Sequence, residues 1–182
     1  MQSPTDHYSK LKAHIAHARK ILRNVDRKEC RNDLQHLKLR SYVLLSHSIV
    51  EEFIEDLGLE VALNARRIFC DDGIITKALV ALVTSQVLSD VKEKSKSKIG
   101  TDLVRNLDAF SEEAFNAYRA TITSNNGVKP ENLRKIFVPI GIDPETVDLS
   151  LVNSMKALGE KRGGLAHKFA IQQELTLRVR TH

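Results

Sequence analysis

Between Asn32 and Leu57, apolar side chains recur every three or four residues: Leu34, Leu37, Val43, Leu44, Leu45, Ile49, Val50, Phe53, Ile54 and Leu57. That is the period of an α-helix with one wide apolar face, sustained far beyond the length of an ordinary strand. The run predicts a long central helix starting near Asn32 or Asp33. Gly58 is a candidate interruption, but Val61, Ala62, Leu63 and Ala65 carry the pattern on toward Phe69, and Asp71-Asp72-Gly73 closes it. The same period precedes it. Leu11, His14, Ile15, Ala18, Ile21, Leu22 and Val25 predict a basic amphipathic helix from about His7 to Lys28, with Thr5 or Asp6 as its cap.

From Ile74 to Val91 the chain is rich in β-branched residues, the composition of a strand. Helix is nonetheless the better reading, because no glycine or proline breaks the run and no second segment offers a strand to pair with it. Lys92–Lys98 is a charged stretch that reads as a solvated helix end or loop, with phosphate tracking as its functional alternative. Thr101 or Asp102 is placed to cap a helix reaching Ile122, with Leu103, Leu107, Phe110, Ala114, Phe115 and Tyr118 inward. Asn125-Asn126-Gly127 stops it. A short helix follows from Pro130 to Phe137, with proline in its first turn, then a break at Pro139 and Gly141 and a new turn at Asp143-Pro144-Glu145. Leu149, Leu151, Val152, Met155 and Leu158 line a helix that runs up to Arg162. The fold class expected is all-α.

With 182 residues, 42% of them hydrophobic, the chain can bury a core of its own, alone or as a dimer. Residues 1–30 read as an N-terminal basic helix or extension on a helical domain of residues 31–182. Two cysteines, Cys30 and Cys70, lack the spacing of a disulfide framework or a structural zinc site. The net charge of +5 arises from 28 basic and 23 acidic residues, which points to a polyanionic partner met by patches rather than by a wholly basic surface. The opening residues carry no apolar leader, and no run is long enough to span a bilayer, so a cytoplasmic protein without a membrane partner is expected.

The sequence Arg162-Gly163-Gly164-Leu165-Ala166-His167 carries the most chemistry. Arginine offers a permanently charged planar fork that suits a phosphate, and histidine titrates near neutrality. Together they are the ingredients for metal-free cleavage of a phosphodiester. Five helical steps of about 100° would set the two side chains roughly 140° apart on a straight helix, and each glycine costs about 1 kcal/mol there. A turn at Gly163-Gly164 is therefore expected, with a new helix from Leu165 whose free amides would attract an anion beside His167. The ordinary reading is a solvated helix start. His14 and His17 share a helix face without the partners of a metal site, and His47 and Glu51 read as an ordinary i, i+4 polar pair. No phosphate-binding loop, dinucleotide fingerprint or nucleophile elbow is present, and Tyr8, Tyr42 and Tyr118 are too scattered for a stacking platform.

Two segments resemble the HEPN domains, most closely the RiboL-PSP-HEPN branch. One is Leu39–Leu57, where an acidic residue stands shortly before an aromatic. The other runs from Asn132-Leu133-Arg134-Lys135-Ile136-Phe137 through Ile140-Gly141-Ile142-Asp143 to Arg162 and His167, like that family's approach to its Arg-(four to six residues)-His signature. The resemblance spans roughly residues 38 to 170. It implies an up-and-down helical bundle that dimerises, joining two motifs in one cleft, and a metal-independent endoribonuclease that needs no cofactor. In that reading the RNA 2′-hydroxyl attacks phosphorus, leaving a 2′,3′-cyclic phosphate. His167 is the acid or base, Arg162 stabilises the phosphate charge, and Glu51, with Glu52 as its rival, orients one of them. Lys161, Lys168, Lys94, Lys96 and Lys98 are the expected RNA contacts. The implied setting is a toxin or anti-phage effector acting on RNA such as tRNA, with an antitoxin or defence protein as partner. The alternative is a non-catalytic dimeric RNA-binding or scaffold module, since Gly163 stands where active members often carry a polar residue.

Overall fold

The computed structural model describes the backbone of residues 4–26, 28–90 and 106–180, and the side chains of residues 6–26, 28–86, 106–146 and 148–165. Every regular element among the described residues is helical: α1 (Pro4–Ala18), a 3-10 turn (Arg19–Leu22), α2 (Asp33–Asp72), α3 (Lys77–Asp90), α4 (Leu107–Thr123), α5 (Pro130–Phe137), a second 3-10 turn (Val138–Ile140), α6 (Pro144–Val147) and α7 (Leu149–Arg180). Of the β-branched run, Lys77–Asp90 is helical, as the lack of a pairing strand led one to expect, while residues 74–76 precede the helix and Val91 lies outside the described residues. No helix among the described residues is long and apolar enough to cross a membrane.

The chain divides into two compact units. The first contains residues 54–126 and 131–149, hence the later part of α2 with α3, α4, α5 and α6. α3 packs against α4 and the second 3-10 turn. Its core is built from Ile54, Ala62 and Ala65 of α2, Leu79, Leu82 and Val83 of α3, Ala114, Tyr118 and Ile122 of α4, and Leu133, Ile136 and Ile140. Gly58 does not interrupt α2. It is a close-approach point, where an added Cβ would lie 2.6 Å from the Tyr118 hydroxyl oxygen and 2.9 Å from Ile136 Cγ2. That hydroxyl donates to the Ile136 carbonyl at 2.7 Å, and burial pushes its pKa up, so it stays a donor. The second 3-10 turn ends at Gly141, whose φ of +80° is the left-handed conformation that glycine adopts without strain. Asp143 then caps α6 by accepting the Glu145 N–H.

The second unit contains residues 2–53, 127–130 and 150–182. α1 is shorter than the apolar period predicts. It ends at Ala18, and after the 3-10 turn Asn24 takes a left-handed φ of +65°, so the chain reverses instead of continuing to Lys28. The start of α2 holds that reversal: Gln35 Nε2 donates to the Asn24 carbonyl at 3.1 Å and Lys38 Nζ to the Arg23 carbonyl at 3.0 Å. Asn32 caps α2 by accepting the Gln35 N–H at 3.0 Å, while the Gln35 side chain accepts the Arg31 N–H at 2.8 Å. Several predicted inward positions are in fact exposed, among them Leu34, Leu37 and Leu45 on α2 and Leu149 and Leu151 on α7. The apolar stripe is wider than the surface these helices bury within the chain.

Candidate active site

α2 carries His47 and Glu51 one turn apart in the second unit, so both project from the same face. His47 is only 1% exposed, an unusual position for a titratable side chain. Its Nδ1 lies 3.5 Å from Glu51 Oε2. The other Glu51 oxygen, Oε1, accepts the backbone N–H of Gly127. One carboxylate therefore joins a helix side chain to the turn that follows α4. Gly127 has a φ of +132°, which explains the glycine in Asn125-Asn126-Gly127.

The third participant comes from α7. Burial drives the His47 pKa down from 6.5, the Glu51 carboxylate opposes that shift, and the nearby Arg162 guanidinium adds to it. The imidazole is thus neutral at pH 7, and its Nε2 is buried without a hydrogen-bond partner among the described residues. Glu51 lies between a neutral histidine and a backbone amide, while half-exposed Arg162 brings a permanent positive charge to the same place. A partly exposed guanidinium near a carboxylate that is itself held by a backbone amide is an arrangement able to receive an anion with a developing charge, such as a phosphoryl oxygen.

Of the predicted residues, Glu51 pairs with His47 and Arg162 acts on the same imidazole, whereas Glu52, the rival glutamate, is exposed. Lys161 is exposed. The side chains of His167 and Lys168 and the whole of Lys94, Lys96 and Lys98 lie outside the described residues. The expected turn at Gly163-Gly164 is absent: α7 runs unbroken from Leu149 to Arg180. No helix starts at Leu165, so neither a first-turn His167 nor an anion site of free amides exists there. Breaking the helix would expose backbone donors and acceptors at two new ends, a larger cost than the roughly 1 kcal/mol each glycine imposes. Arg162 and His167 therefore sit on one continuous helix, about 140° and roughly 7.5 Å apart along it.

Sequence reasoning passed over His47, reading it as one half of an ordinary i, i+4 polar pair. The signal available was its place among Val43, Leu44 and Val50 in the long apolar run. His14 and His17 are exposed on α1, as a basic helix surface requires. Among the described residues no three of His, Cys, Asp and Glu gather where they could hold a metal ion.

The fold and the cluster define a protein that is helical throughout its described regular elements, with a buried histidine and a half-buried glutamate near a partly exposed arginine. Residues 6–178 match the model of one family, described as RiboL-PSP-HEPN, so the chain belongs to the RiboL-PSP-HEPN family. The matched span begins within α1 and ends within α7. No curated protein and no solved structure matches the chain.

Proposed function

We propose that the protein is an endoribonuclease that works as a homodimer and cleaves RNA without a metal. The observation that carries this reading is the meeting of Glu51, His47 and Arg162, from helices far apart in sequence, in a member of a family whose active representatives are such enzymes. In the proposed step the RNA 2′-oxygen bonds to the adjacent phosphorus and the P–O5′ bond breaks. The 2′ proton passes to a base and the 5′ oxygen receives one from an acid, leaving a 2′,3′-cyclic phosphate and a 5′-hydroxyl. His167 takes one of these roles, work worth about 10²–10⁴-fold in rate. Arg162 holds the non-bridging oxygens as charge grows on them, and Glu51 fixes the ground beneath it through the Gly127 amide.

The separation of about 140° between Arg162 and His167 supports a composite site, since one straight helix does not aim both at one phosphate. Two copies, with the motifs side by side, would let the arginine of one protomer work with the partner's His167. The exposed leucines Leu34, Leu37 and Leu45 offer apolar surface for such a contact. Lys161, Lys168, Lys94, Lys96 and Lys98 would follow the RNA backbone, and residues 1–30 would form an accessory segment beside the domain of residues 31–182. We further propose a cytoplasmic toxin or anti-phage role, with tRNA among the substrates and a neutralising protein as partner.

The test is incubation with total tRNA and a structured RNA in EDTA, beside Arg162→Ala and His167→Ala, with end-group analysis. Cleavage by the wild type alone, with cyclic-phosphate ends, is the expected result. A salt-sensitive shift without cleavage would establish instead the non-catalytic RNA-binding module, the reading that the glycine after Arg162 favours.

A further inference from the structure

Gly159 is buried on α7, three residues before Arg162 and hence on the same face. What covers it is Lys129. A Cβ added at Gly159 would meet Lys129 Cγ at 2.9 Å, the Lys129 backbone nitrogen at 3.7 Å and Lys129 Cε at 3.8 Å. The lysine stem thus lies along the helix surface one turn from the arginine. The segment that delivers it is held at successive residues: Gly127 by Glu51, Val128 by burial at 1% exposure, and Lys129 by its seat on Gly159. Pro130 then fixes the entry into α5.

The residue itself is exposed, and its ammonium has no acidic partner among the described residues. Just past Arg162, nothing among the described residues lies within 4 Å of a Cβ added at Gly163 or Gly164, and Gly164 is exposed. An exposed lysine with a seated stem, an arginine one turn away and two glycines without side chains make room for a ligand backbone carrying repeated negative charge. We infer that Lys129 is a second phosphate-binding residue, gripping the phosphodiester held by Arg162 or the one next to it. The inference rests on the RNA reading above and adds a contact to it. Because the stem is already seated, little rotamer freedom is left to lose when the phosphate arrives, which is how preorganisation raises affinity. Gly159 is then part of the device, as the only residue type that lets the lysine lie so close.

The experiment is binding of labelled total tRNA from about 0.05 to 0.3 M salt, in a His167→Ala background so that the RNA stays intact. Each phosphate contact contributes about 0.7 to the slope of log K against log salt for single strands. Lys129→Ala is therefore expected to flatten that slope by about 0.7 per protomer and to raise Kd about fivefold at 0.1 M salt, with Lys129→Arg restoring most of both. Gly159→Ala should reproduce part of the loss by displacing the stem, and should have no effect on binding in the Lys129→Ala background, where the colliding Cγ is gone. An unchanged slope in Lys129→Ala, beside a parent that binds normally, would overturn the inference and leave the nuclease reading intact. A parent that binds no RNA would overturn both.

Discussion

Replacing Gly58 by alanine tests whether α2 stays unbroken because of a close approach. The new Cβ would lie 2.6 Å from the Tyr118 oxygen and 2.9 Å from Ile136 Cγ2, both within the buried core and neither at the end of a long flexible chain. Overpacking of this kind costs about 1–3 kcal/mol. If the Tyr118 hydroxyl moves away, its 2.7 Å bond to the Ile136 carbonyl is strained or lost, adding about 1 kcal/mol. Alanine's better helix propensity returns about 1 kcal/mol, so the net loss should be about 2 kcal/mol. Urea unfolding followed by circular dichroism would read this as a lower midpoint at unchanged slope. Tyr118→Phe sharpens the test, because it deletes the colliding oxygen while the ring carbon, 3.8 Å from the new Cβ, remains at ordinary contact distance. In that background Gly58→Ala should cost about 1 kcal/mol less, the clash with Ile136 Cγ2 remaining. Equal costs in both backgrounds, or no cost at all, would refute the packing argument.

Three further outcomes are expected. Gly163→Ala and Gly164→Ala should each stabilise the protein by about 0.5–1 kcal/mol, since α7 is continuous there and the added methyl meets nothing, and a loss of stability in thermal unfolding would contradict the unbroken helix. His47 has a folded pKa below its unfolded value of 6.5, so below that pH the unfolded chain binds the proton more readily and stability falls as pH falls. A His47→Leu variant should lose that part of the acid dependence in urea titrations between about pH 7 and 5, even if it is less stable throughout, and an unchanged profile would show that the imidazole is not held neutral. Glu51→Gln should reduce tRNA cleavage by at least tenfold while Glu52→Gln leaves it within twofold, a pair of assays that fails if the two variants behave alike.

Much of the helical pattern could be read before any coordinates, and the reasons differ by element. α5 was legible to the residue, because Pro130 fits only a first turn and the chain leaves the helix before Pro139. α2 was legible at both ends through Asn32 and Gly73, but the meaning of Gly58 was not, since the tyrosine that fills its place is distant in sequence. α1 was drawn too long for a related reason: Ile21, Leu22 and Val25 keep the helical period, yet what turns the chain at Asn24 is its hydrogen bonding to Gln35 and Lys38. In the cluster around His47, Arg162 and Glu51 were legible from residue type and family likeness. His47 was missed because burial, not identity, distinguishes it from a surface histidine, and Lys129 because its significance lies in a glycine thirty positions later.

The unbroken course of α7 has a consequence for the spacing of the motif. On a rigid rod, residue count is angle: each residue between Arg162 and His167 turns the later side chain by about 100° and advances it by about 1.5 Å. Removing Gly164 alone would bring the two positions from about 140° to about 40° apart and shift every later backbone position of the helix by the same increment. The length of the intervening sequence thus acts as a phase setting, fixing the angle and the rise between the two positions on one helix.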